Sequence, residues 1–284
     1  MLFGTRTVGA ALFISLVTPS ASFTALAAPQ QAAPTVTPTV TPTVTPTVTP
    51  TVTPTVTPTV TPALTTAADV VARYDQLMSP IAFTATMAMR VLREDGSLRN
   101  YVLKTQKQGS DQLRVTFQEP VSARGQEMLR VGENLWSYVP NLKRAVRVAS
   151  RDSFMGGDFN NSDIVRVNYV ADYNAVLVDD VDPAALCAQL TAKHPGVAYD
   201  QIHLCLSRGD AQPTRARYFA QSGKLLRSAV FSDLKDFGNG LLRPAAIVMK
   251  NEVQTARQST ITWSAFAVVD AIPPSRFAVS DLGR

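Results

Sequence analysis

Side chains suited to chemistry concentrate in two parts of this 284-residue chain, a polar segment at residues 154–163 and a pair of cysteines. In the polar segment, Asp158, Asn160 and Ser162 alternate in the way that oxygen ligands alternate in a calcium loop. The sixth position of such a loop needs a glycine, but Asp163 stands there, and the glutamate of the twelfth position is also missing. We therefore predict no metal site, and we interpret the Asp and Asn residues as turn and capping residues.

The two cysteines, Cys187 and Cys205, fall on two predicted strands, residues 186–192 and 202–206. If the turn at residues 194–196 centres on its Pro-Gly pair, the cysteines face each other on neighbouring strands. In an exported protein this arrangement favours a disulfide, and the alternative is two unpaired thiols in a shifted register. The sequence has no Cys-x-x-Cys motif, so we predict neither a redox role nor a metal role.

Catalytic signatures are missing from the sequence. It has no Gly-x-Ser-x-Gly motif, no His-Glu-x-x-His motif and no phosphate-binding loop. The only histidines are His194, in a turn before proline, and His203, on a predicted strand. We therefore predict no catalytic residue and no cofactor, and we expect that the protein is not an enzyme.

Residues 1–27 have the features of a secretory signal peptide. An early cation, Arg6, precedes an apolar stretch at residues 8–17, and the small residues Ala25 and Ala27 form an A-x-A cleavage signal. We predict cleavage after Ala27 and export to the periplasm. No cysteine lies near the cut, so we do not predict a lipid anchor.

A low-complexity segment follows at residues 28–64. Proline recurs at every fourth position from Pro34 to Pro62, with Thr-Val-Thr between the prolines. Proline at this spacing removes backbone donors, and valine is the only apolar side chain of the repeat, so neither a helix nor a core can form. We predict a disordered stalk. It is either a tether that extends the reach of the next domain or a solvated tail, and its threonines are candidate glycosylation sites.

Residues 65–284 have the size and patterning of one mainly β domain with few helices. Apolar residues at helical spacing predict a helix that begins after Thr65 or Thr66 and ends before Pro80. Apolar and polar residues then alternate in many short segments between tight turns, which predicts an antiparallel meander. A large sheet with so little helix to cover it is expected to curve into an open barrel with an apolar cavity.

Several side chains are candidates to line this cavity or its rim. Trp136 and Tyr138 share one strand face, and they are either core residues or a lining of the cavity mouth. The other candidates are apolar residues of the predicted strands and of the polar segment. The full set of predicted ligand-binding residues is Phe83, Met87, Met89, Phe117, Met128, Trp136, Tyr138, Phe154, Met155 and Phe159.

The formal net charge of +5 is dispersed along the chain. Only four basic residues gather locally, in a run that consists of Lys143, Arg144, Arg147 and Arg151. Together with the export signal, this pattern predicts no nucleic-acid partner, and it leaves attraction to anionic lipid surfaces open.

The region of residues 66–284 resembles the LolA-like family of periplasmic outer-membrane lipoprotein-sorting proteins. The residues that carry the resemblance are Glu119-Pro120, Arg124-Gly125, Met128-Leu129-Arg130, Asn134-Leu135-Trp136, Tyr138, Pro140, Arg144, Arg147, residues 154–161 with Asp163, and, less specifically, residues 190–193, 222–226 and 231–233. Two positions depart from the family pattern. Gly157 stands where the family usually has serine, and Ser162 stands where an acidic residue or asparagine is common.

This resemblance implies an antiparallel open half-barrel of about eleven strands, similar to LolA and LolB, with short helices that act as a lid over an acyl-chain cavity. The lid or rim is then residues 154–164, where Asp158 and Asp163 fix the loop. The arginine that locks the lid of the classical carrier has no clear counterpart. Arg130 and Arg144 are candidates because they are basic residues on strands near the lid.

Two functions are compatible with the sequence. The first is a carrier that binds lipid or lipoprotein acyl chains, for lipoprotein sorting or lipid transport. The alternative is an envelope interaction module that serves a membrane lipid exporter and has no lipid cargo of its own, with a filled interior and exposed aromatic residues. We expect a monomer, and an inner-membrane transporter is a further candidate partner.

Overall fold

The computed structural model describes residues 64–284. The predicted signal peptide (residues 1–27) and all but the last residue of the predicted stalk (residues 28–64) lie outside the described residues. Cleavage near Ala27 and the disordered repeat therefore stay predictions.

Three α-helices are described, α1 (Ala67–Met78), α2 (Asn161–Val165) and α3 (Tyr169–Asp172). The first helix begins with a capping box. The Thr66 hydroxyl accepts a 3.1 Å hydrogen bond from the Asp69 backbone N–H, and the Asp69 carboxylate accepts one of 2.8 Å from the Thr66 N–H. The face that α1 buries has the predicted spacing and consists of Ala67, Val70, Val71, Tyr74, Leu77 and Met78.

Thirteen antiparallel strands form a single sheet. They are β1 (Ala82–Leu92), β2 (Leu98–Gln108), β3 (Gln112–Glu119), β4 (Glu127–Val131), β5 (Asn134–Val139), β6 (Arg144–Arg147), β7 (Tyr173–Val178), β8 (Ala185–Ala192), β9 (Gln201–Ser207), β10 (Pro213–Phe219), β11 (Leu225–Asp236), β12 (Leu242–Asn251) and β13 (Gln258–Val268). The spatial order is β6-β5-β4-β3-β2-β1-β13-β12-β11-β10-β9-β8-β7. Strands that are consecutive in sequence therefore pair with each other, except that β6 does not pair with β7. These two strands are the edges of the sheet, and the first and last strands, β1 and β13, pair in its middle.

The predicted fold class is confirmed, because the sheet is antiparallel, open and accompanied by only short helices. The number of strands is thirteen rather than about eleven. One added strand is β6, which the sequence presents as a basic run. It pairs with β5 through Trp136 opposite Arg147, and the arginine carbon Cζ lies 5.0 Å from the centre of the indole ring.

The domain core lies between the helices and one face of the sheet, which we call the inner face. On β1 this face bears Phe83, Met87 and Met89, all of which are buried, whereas the intervening Ala88 and Arg90 are exposed. The three helices pack on the inner face, and their buried residues belong to the same apolar cluster as those of the strands. Alternation along β1 thus decides which side chains reach the core.

The opposite, outer face is covered over β3–β5 by the C-terminal segment, residues 270–284. Ile272, Phe277 and Leu282 of this segment pack on Leu129. The completely buried Arg114 holds the segment in place, because its guanidinium pairs with Glu127 of β4 and with Asp281 and donates a 3.0 Å hydrogen bond to the Arg276 carbonyl. Sheet and C-terminal segment form one packed unit.

Cys187 of β8 and Cys205 of β9 are direct cross-strand partners on the outer face. A disulfide joins their sulfur atoms, and the Cα atoms are 4.1 Å apart. Both residues are fully buried, although sequence alternation groups them with polar neighbours.

None of the helices in residues 64–284 combines the length and the apolar composition that a membrane crossing needs.

Candidate functional site

An enclosed apolar cavity of about 50 Å³ lies between the inner face of the sheet and the helices. Three of the predicted ligand-binding residues, Phe83, Met87 and Phe159, line it. Trp263 and Phe266 of β13 line it as well, and the ring of Phe266 stacks on that of Phe83 with 4.5 Å between their centroids. Space of this size accommodates only a few water-sized groups.

Other predicted residues belong to the same core without lining the cavity. Met89, Phe117, Met128 and Phe154 are all buried on the inner side, and the rings of Phe117 and Phe154 stack with 5.8 Å between their centroids. Met155 is partly buried against this cluster and has a positive φ of 54°. These residues form the packed layer beneath the cavity and the lid.

Trp136 and Tyr138 lie on the outer face, and this placement corrects the prediction that they line the cavity or its mouth. In the β4–β5 ladder, Trp136 stands opposite Leu129 and Tyr138 stands opposite Glu127, both of which point away from the core. The two rings pack on the cluster that anchors the C-terminal segment. The prediction from alternation that the two residues share one face is correct. Alternation does not show which face of the sheet the helices cover.

The segment predicted to act as a lid, which we call the lid, is residues 154–165, from the 3₁₀ turn Phe154–Gly156 to the end of α2. Asp158 anchors this segment to the sheet, and its side chain is completely buried. One carboxylate oxygen accepts a 2.8 Å hydrogen bond from the Ser259 hydroxyl, and the other accepts one of 3.1 Å from the Asn251 amide. Arg257 Nε lies 3.4 Å from Asp158 Oδ1, which adds an ion pair.

The lid packs closely on the sheet at Gly157, where a side chain fits only if the flexible end of Met89 moves. A Cβ atom there would lie 2.7 Å from Met89 Cε and 3.1 Å from both Ser259 Oγ and Val91 Cγ2. This contact gives a physical reason for glycine at the position where the sequence departs from the serine of the family pattern.

Asp163 caps α2 within the lid. Its carboxylate accepts a 2.7 Å hydrogen bond from the Asn160 backbone N–H and another of 2.7 Å from the Tyr199 hydroxyl. Burial raises the pKa of Asp163 to about 6, against the lowering effect of these hydrogen bonds and of the nearby Arg227. Asp158 is thus bonded to the sheet and Asp163 caps α2, which is the arrangement expected of residues that fix this segment.

The two arginines considered as lid locks form no hydrogen bond or ion pair with the lid among the described residues. Arg130 is buried on the inner side of β4, where it donates 2.9 Å hydrogen bonds to the carbonyls of Gly132 and Ser110. Its role is to hold two neighbouring hairpin turns. Arg144 is exposed on the edge strand β6, and within residues 64–284 no hydrogen bond or ion pair joins it to the lid. The structure therefore gives no support to a locking role of Arg130 or Arg144.

An open groove of about 840 Å³ adjoins the cavity at the C-terminal end of α1. It shares Ser79 and Val167 with the cavity lining, and the exposed apolar side chains of Ile81, Val170 and Val268 border it. The groove and the cavity are therefore adjacent, on two sides of Ser79 and Val167. Lys107 lies at its base, where burial lowers the pKa of the amine to about 8 and three hydrogen bonds to Ser79 and Pro80 satisfy it.

Arg243 is a cavity-side residue that the sequence reasoning missed. Its side chain is completely buried, and its guanidinium carbon lies 4.5 Å from the ring centres of both Trp263 and Phe266. Burial lowers the pKa of Arg243 to about 9, so the group is still a cation at neutral pH. A signal was available, because Arg243 occupies the same face of β12 as Ala245, Ile247 and Met249, which an alternating strand turns inward.

Asp180 and His203 approach the disulfide on the outer face, within 4.8 Å of both sulfur atoms and of each other. The geometry is compatible with metal ligands, but the sulfur atoms are bonded to each other and Asp180 is paired with Arg215. Too few ligands are left for a closed site, so we assign no metal to this cluster.

A family model described as "Uncharacterized protein" matches residues 109–284, more than half of the chain. None of the curated proteins that were searched matches the sequence.

Solved structures with the same fold cover nearly all of the described domain. A LolA superfamily protein from Nitrosomonas europaea superposes with a TM-score of 0.69 at 24% identity, over 76% of this chain and 98% of that one. A putative outer membrane lipoprotein-sorting protein domain from Vibrio parahaemolyticus gives 0.66 at 19% identity, over 77% and 98%. A DUF1329 family protein from Desulfovibrio piger gives 0.67 at 20% identity, over 76% and 97%. These similarities establish the fold.

Proposed function

We propose, from the premise that this chain belongs to the LolA-like family, that it is a non-enzymatic carrier which holds lipid or lipoprotein acyl chains in the half-barrel. The observation that carries the proposal is the enclosed apolar cavity under a short, hydrogen-bonded lid, next to an open apolar groove. One solved relative is described as a putative lipoprotein-sorting domain, and its fold is shared by this chain.

The affinity of such a carrier comes from apolar burial. Each methylene that leaves water contributes about 0.8 kcal/mol, so ten methylenes in contact with Met87, Phe159 and Ile261 contribute about 8 kcal/mol. Association costs about 4 kcal/mol or more, so about fifteen methylenes are needed for micromolar binding. Apart from Asp163, the side chains that line the cavity are uncharged, and they give little selectivity for chain type. A carrier built this way accepts a range of acyl chains.

The lid has to move for loading, because the closed cavity of about 50 Å³ is far smaller than an acyl chain. Movement of residues 154–165 would break the buried hydrogen bonds of Asp158 to Ser259 and Asn251. Buried hydrogen bonds to a charged group contribute about 1.5–3 kcal/mol each, so the closed state is favoured without cargo. Acyl-chain burial then supplies the free energy that holds an open or expanded state.

The cellular setting belongs to the same proposal. The signal peptide predicted for residues 1–27 supports a periplasmic carrier, and the predicted stalk supports a domain that reaches between membranes. The ligands are lipid or lipoprotein acyl chains, an inner-membrane transporter is the candidate donor, and the carrier acts as a monomer.

A matched pair of variants at adjacent positions of β13 tests the cavity. Ile261 lines it, whereas Thr262 is exposed on the outer face. Phenylalanine at Ile261 (Ile261→Phe) fills the cavity, so we expect binding of a fluorescent fatty-acid probe to weaken at least about tenfold at a cost of about 1–3 kcal/mol in stability. Thr262→Phe is expected to bind as the wild type does.

Native mass spectrometry after gentle isolation provides the second measurement. The wild-type protein is expected to carry co-purified lipid, and Ile261→Phe is expected to carry less. Protein that is always empty and also fails to bind the probe would contradict the carrier proposal.

A further inference from the structure

The inner face carries an arginine whose terminal nitrogens have no partner among residues 64–284. Within this range, Nη1 and Nη2 of Arg243 are buried without a hydrogen-bond partner, and its only hydrogen bond is a 3.3 Å contact from Nε to the Pro244 carbonyl. The other buried arginines of residues 64–284 all have polar partners. Arg130 donates hydrogen bonds to the carbonyls of Gly132 and Ser110. Arg114 binds Glu127 and Asp281, and Arg166 binds Asp172 and Glu133.

An unpaired buried cation lowers the stability of the folded state. Removal of a guanidinium from water costs several kcal/mol unless an anion or several acceptors replace the water. The rings of Trp263 and Phe266, with centres 4.5 Å from the Arg243 Cζ atom, return only about 2 kcal/mol through cation–π contact. Within residues 64–284, Tyr74 is the titratable group that acts on Arg243. Burial raises the pKa of Tyr74, so its hydroxyl is neutral at pH 7 and supplies no negative charge.

Arg243 lies at the end of the half-barrel where the groove opens. It is near the start of β12. In the ladders β1–β13 and β12–β13, the end of β13 lies beside the start of β1 and beside the start of β12, so all three are at the same end of the sheet. The groove is bordered there by Ile81, Ala82 and Val268. The cavity extends from this end toward Met87 and Phe159.

We propose that Arg243 binds the anionic head group, a carboxylate or a phosphate, of the amphiphile whose acyl chain occupies the cavity. A guanidinium offers a planar fork that matches either anion with two parallel hydrogen bonds. Nη1 and Nη2 are the atoms left without partners, and the two rings beside them, Trp263 and Phe266, also line the cavity. Head-group recognition and chain burial are therefore adjacent. The inference rests on the proposed carrier function and names its substrate class.

Ligands with one chain and different head groups test the proposal. Displacement of an uncharged hydrophobic dye is measured with decanoate, decyl phosphate and decanol, and inorganic phosphate alone is included as a probe without a chain. We expect the wild-type protein to bind decanoate and decyl phosphate at least about tenfold more tightly than decanol, as expected for hydrogen bonds to charged groups. Inorganic phosphate is expected to displace nothing.

Variants at two arginines separate the site from a general charge effect. Arg243→Met should bind decanoate, decyl phosphate and decanol with equal affinity, close to that of decanol for the wild type. Arg217→Met removes the same charge from an exposed position on the outer face of β10 and should keep the wild-type preference. Decyl phosphate and decanoate compared with each other identify which anion fits better.

Thermal unfolding without ligand supplies a readout that a merely structural arginine would not give. Arg243→Met should raise the Tm of the ligand-free protein by a few degrees, because an uncompensated buried cation is removed. A lower Tm, or a variant that fails to fold, would overturn the proposal. Equal affinity of the wild type for decanoate and decanol would also overturn it and leave the carrier function intact, whereas failure of every amphiphile to bind would overturn both.

Discussion

Asp158 of the lid accepts a 2.8 Å hydrogen bond from the hydroxyl of Ser259 on β13, and both side chains are completely shielded from solvent. The Ser259 hydroxyl in turn accepts a 2.9 Å hydrogen bond from the Asp158 backbone N–H. This reciprocal pair connects residues that are 101 positions apart in the sequence. It is the contact that any opening of the lid over this part of the sheet has to break.

Loss of the Ser259 hydroxyl should loosen the lid. In Ser259→Ala, Asp158 keeps its Asn251 contact but loses a hydrogen bond in both directions, so we expect destabilisation by about 1–3 kcal/mol and faster uptake of a fluorescent fatty acid. Stopped-flow fluorescence measures the uptake rate. Ser264→Ala, at an exposed position of the same strand, is the control and should leave the rate unchanged. An unchanged rate in Ser259→Ala would show that the lid does not control access.

Asp163 should make stability fall as pH rises. Its pKa in the folded protein is about 6, above the ordinary value of 3.8, so the folded state holds the proton more tightly than the unfolded state does. The stabilising contribution of the protonated carboxyl is complete below about pH 4 and is lost as pH rises through about 6. The residue is partly exposed, which reduces the effect through solvent screening to about 1–2 kcal/mol.

Asp163→Asn tests this pH dependence. The variant should be more stable than the wild type at pH 7 by about 1–2 kcal/mol and equal to it near pH 4, because an amide oxygen still accepts from Asn160 or Tyr199 without a charge to bury. Urea unfolding at several pH values gives the comparison. A variant that is equally destabilised at both pH values would mean that the carboxylate acts only as a hydrogen-bond partner.

Arg114 should be essential for stability and irrelevant for cargo. Its removal in Arg114→Met leaves Glu127 buried without a cation and frees the C-terminal segment, so we expect a loss of about 3–5 kcal/mol. Arg99→Met, at an exposed position of β2, should change stability by less than about 0.5 kcal/mol. Urea unfolding measures both. At temperatures where Arg114→Met remains folded, its affinity for the fatty-acid probe should equal that of the wild type, because Arg114 lies on the outer face.

Much of the fold is predictable from local patterns. The capping box at Thr66, the apolar spacing of α1 and the strict alternation of Phe83, Met87 and Met89 each specify an element by the physics of a single segment. The opposition of Cys187 and Cys205 also follows from one turn and the register that it sets. These features depend on neighbours in sequence.

The parts of the site that could not be predicted depend on contacts between distant segments. Alternation assigns Trp136 to one of two faces of its strand, but it does not show which face the C-terminal segment covers. The sequence alone therefore cannot tell the cavity side from the side that packs on Ile272. The sequence does not identify Arg243, because the missing partners of its guanidinium can be recognised only from the three-dimensional positions of the surrounding residues. The interpretation of Asp158 and Asp163 as lid-fixing residues stays a prediction that the variants above test.

The alternative of an interaction module without cargo expects a filled interior and exposed aromatic rings. Among residues 64–284, the large apolar side chains that are exposed are all Ile, Leu or Val. The interior keeps a cavity that adjoins an open groove. Neither observation favours the module.

A reversible lock on the lid tests the central claim most directly. A Cβ atom at Gly157 would lie 3.1 Å from the position of Ser259 Oγ, and in a disulfide the Cβ of one cysteine lies roughly 3 Å from the sulfur of the other. The double variant Gly157→Cys/Ser259→Cys should therefore form a disulfide between lid and sheet. Intact mass after alkylation verifies the bond, and the wild-type protein with and without reductant controls for loss of the Cys187–Cys205 disulfide.

The decisive measurement is the uptake rate of a fluorescent fatty acid by this double variant before and after reduction. If the cavity loads through movement of the lid, the oxidised variant takes up no probe, reduction restores uptake, and the wild type binds in both conditions. Uptake by the oxidised variant at the wild-type rate would contradict the account.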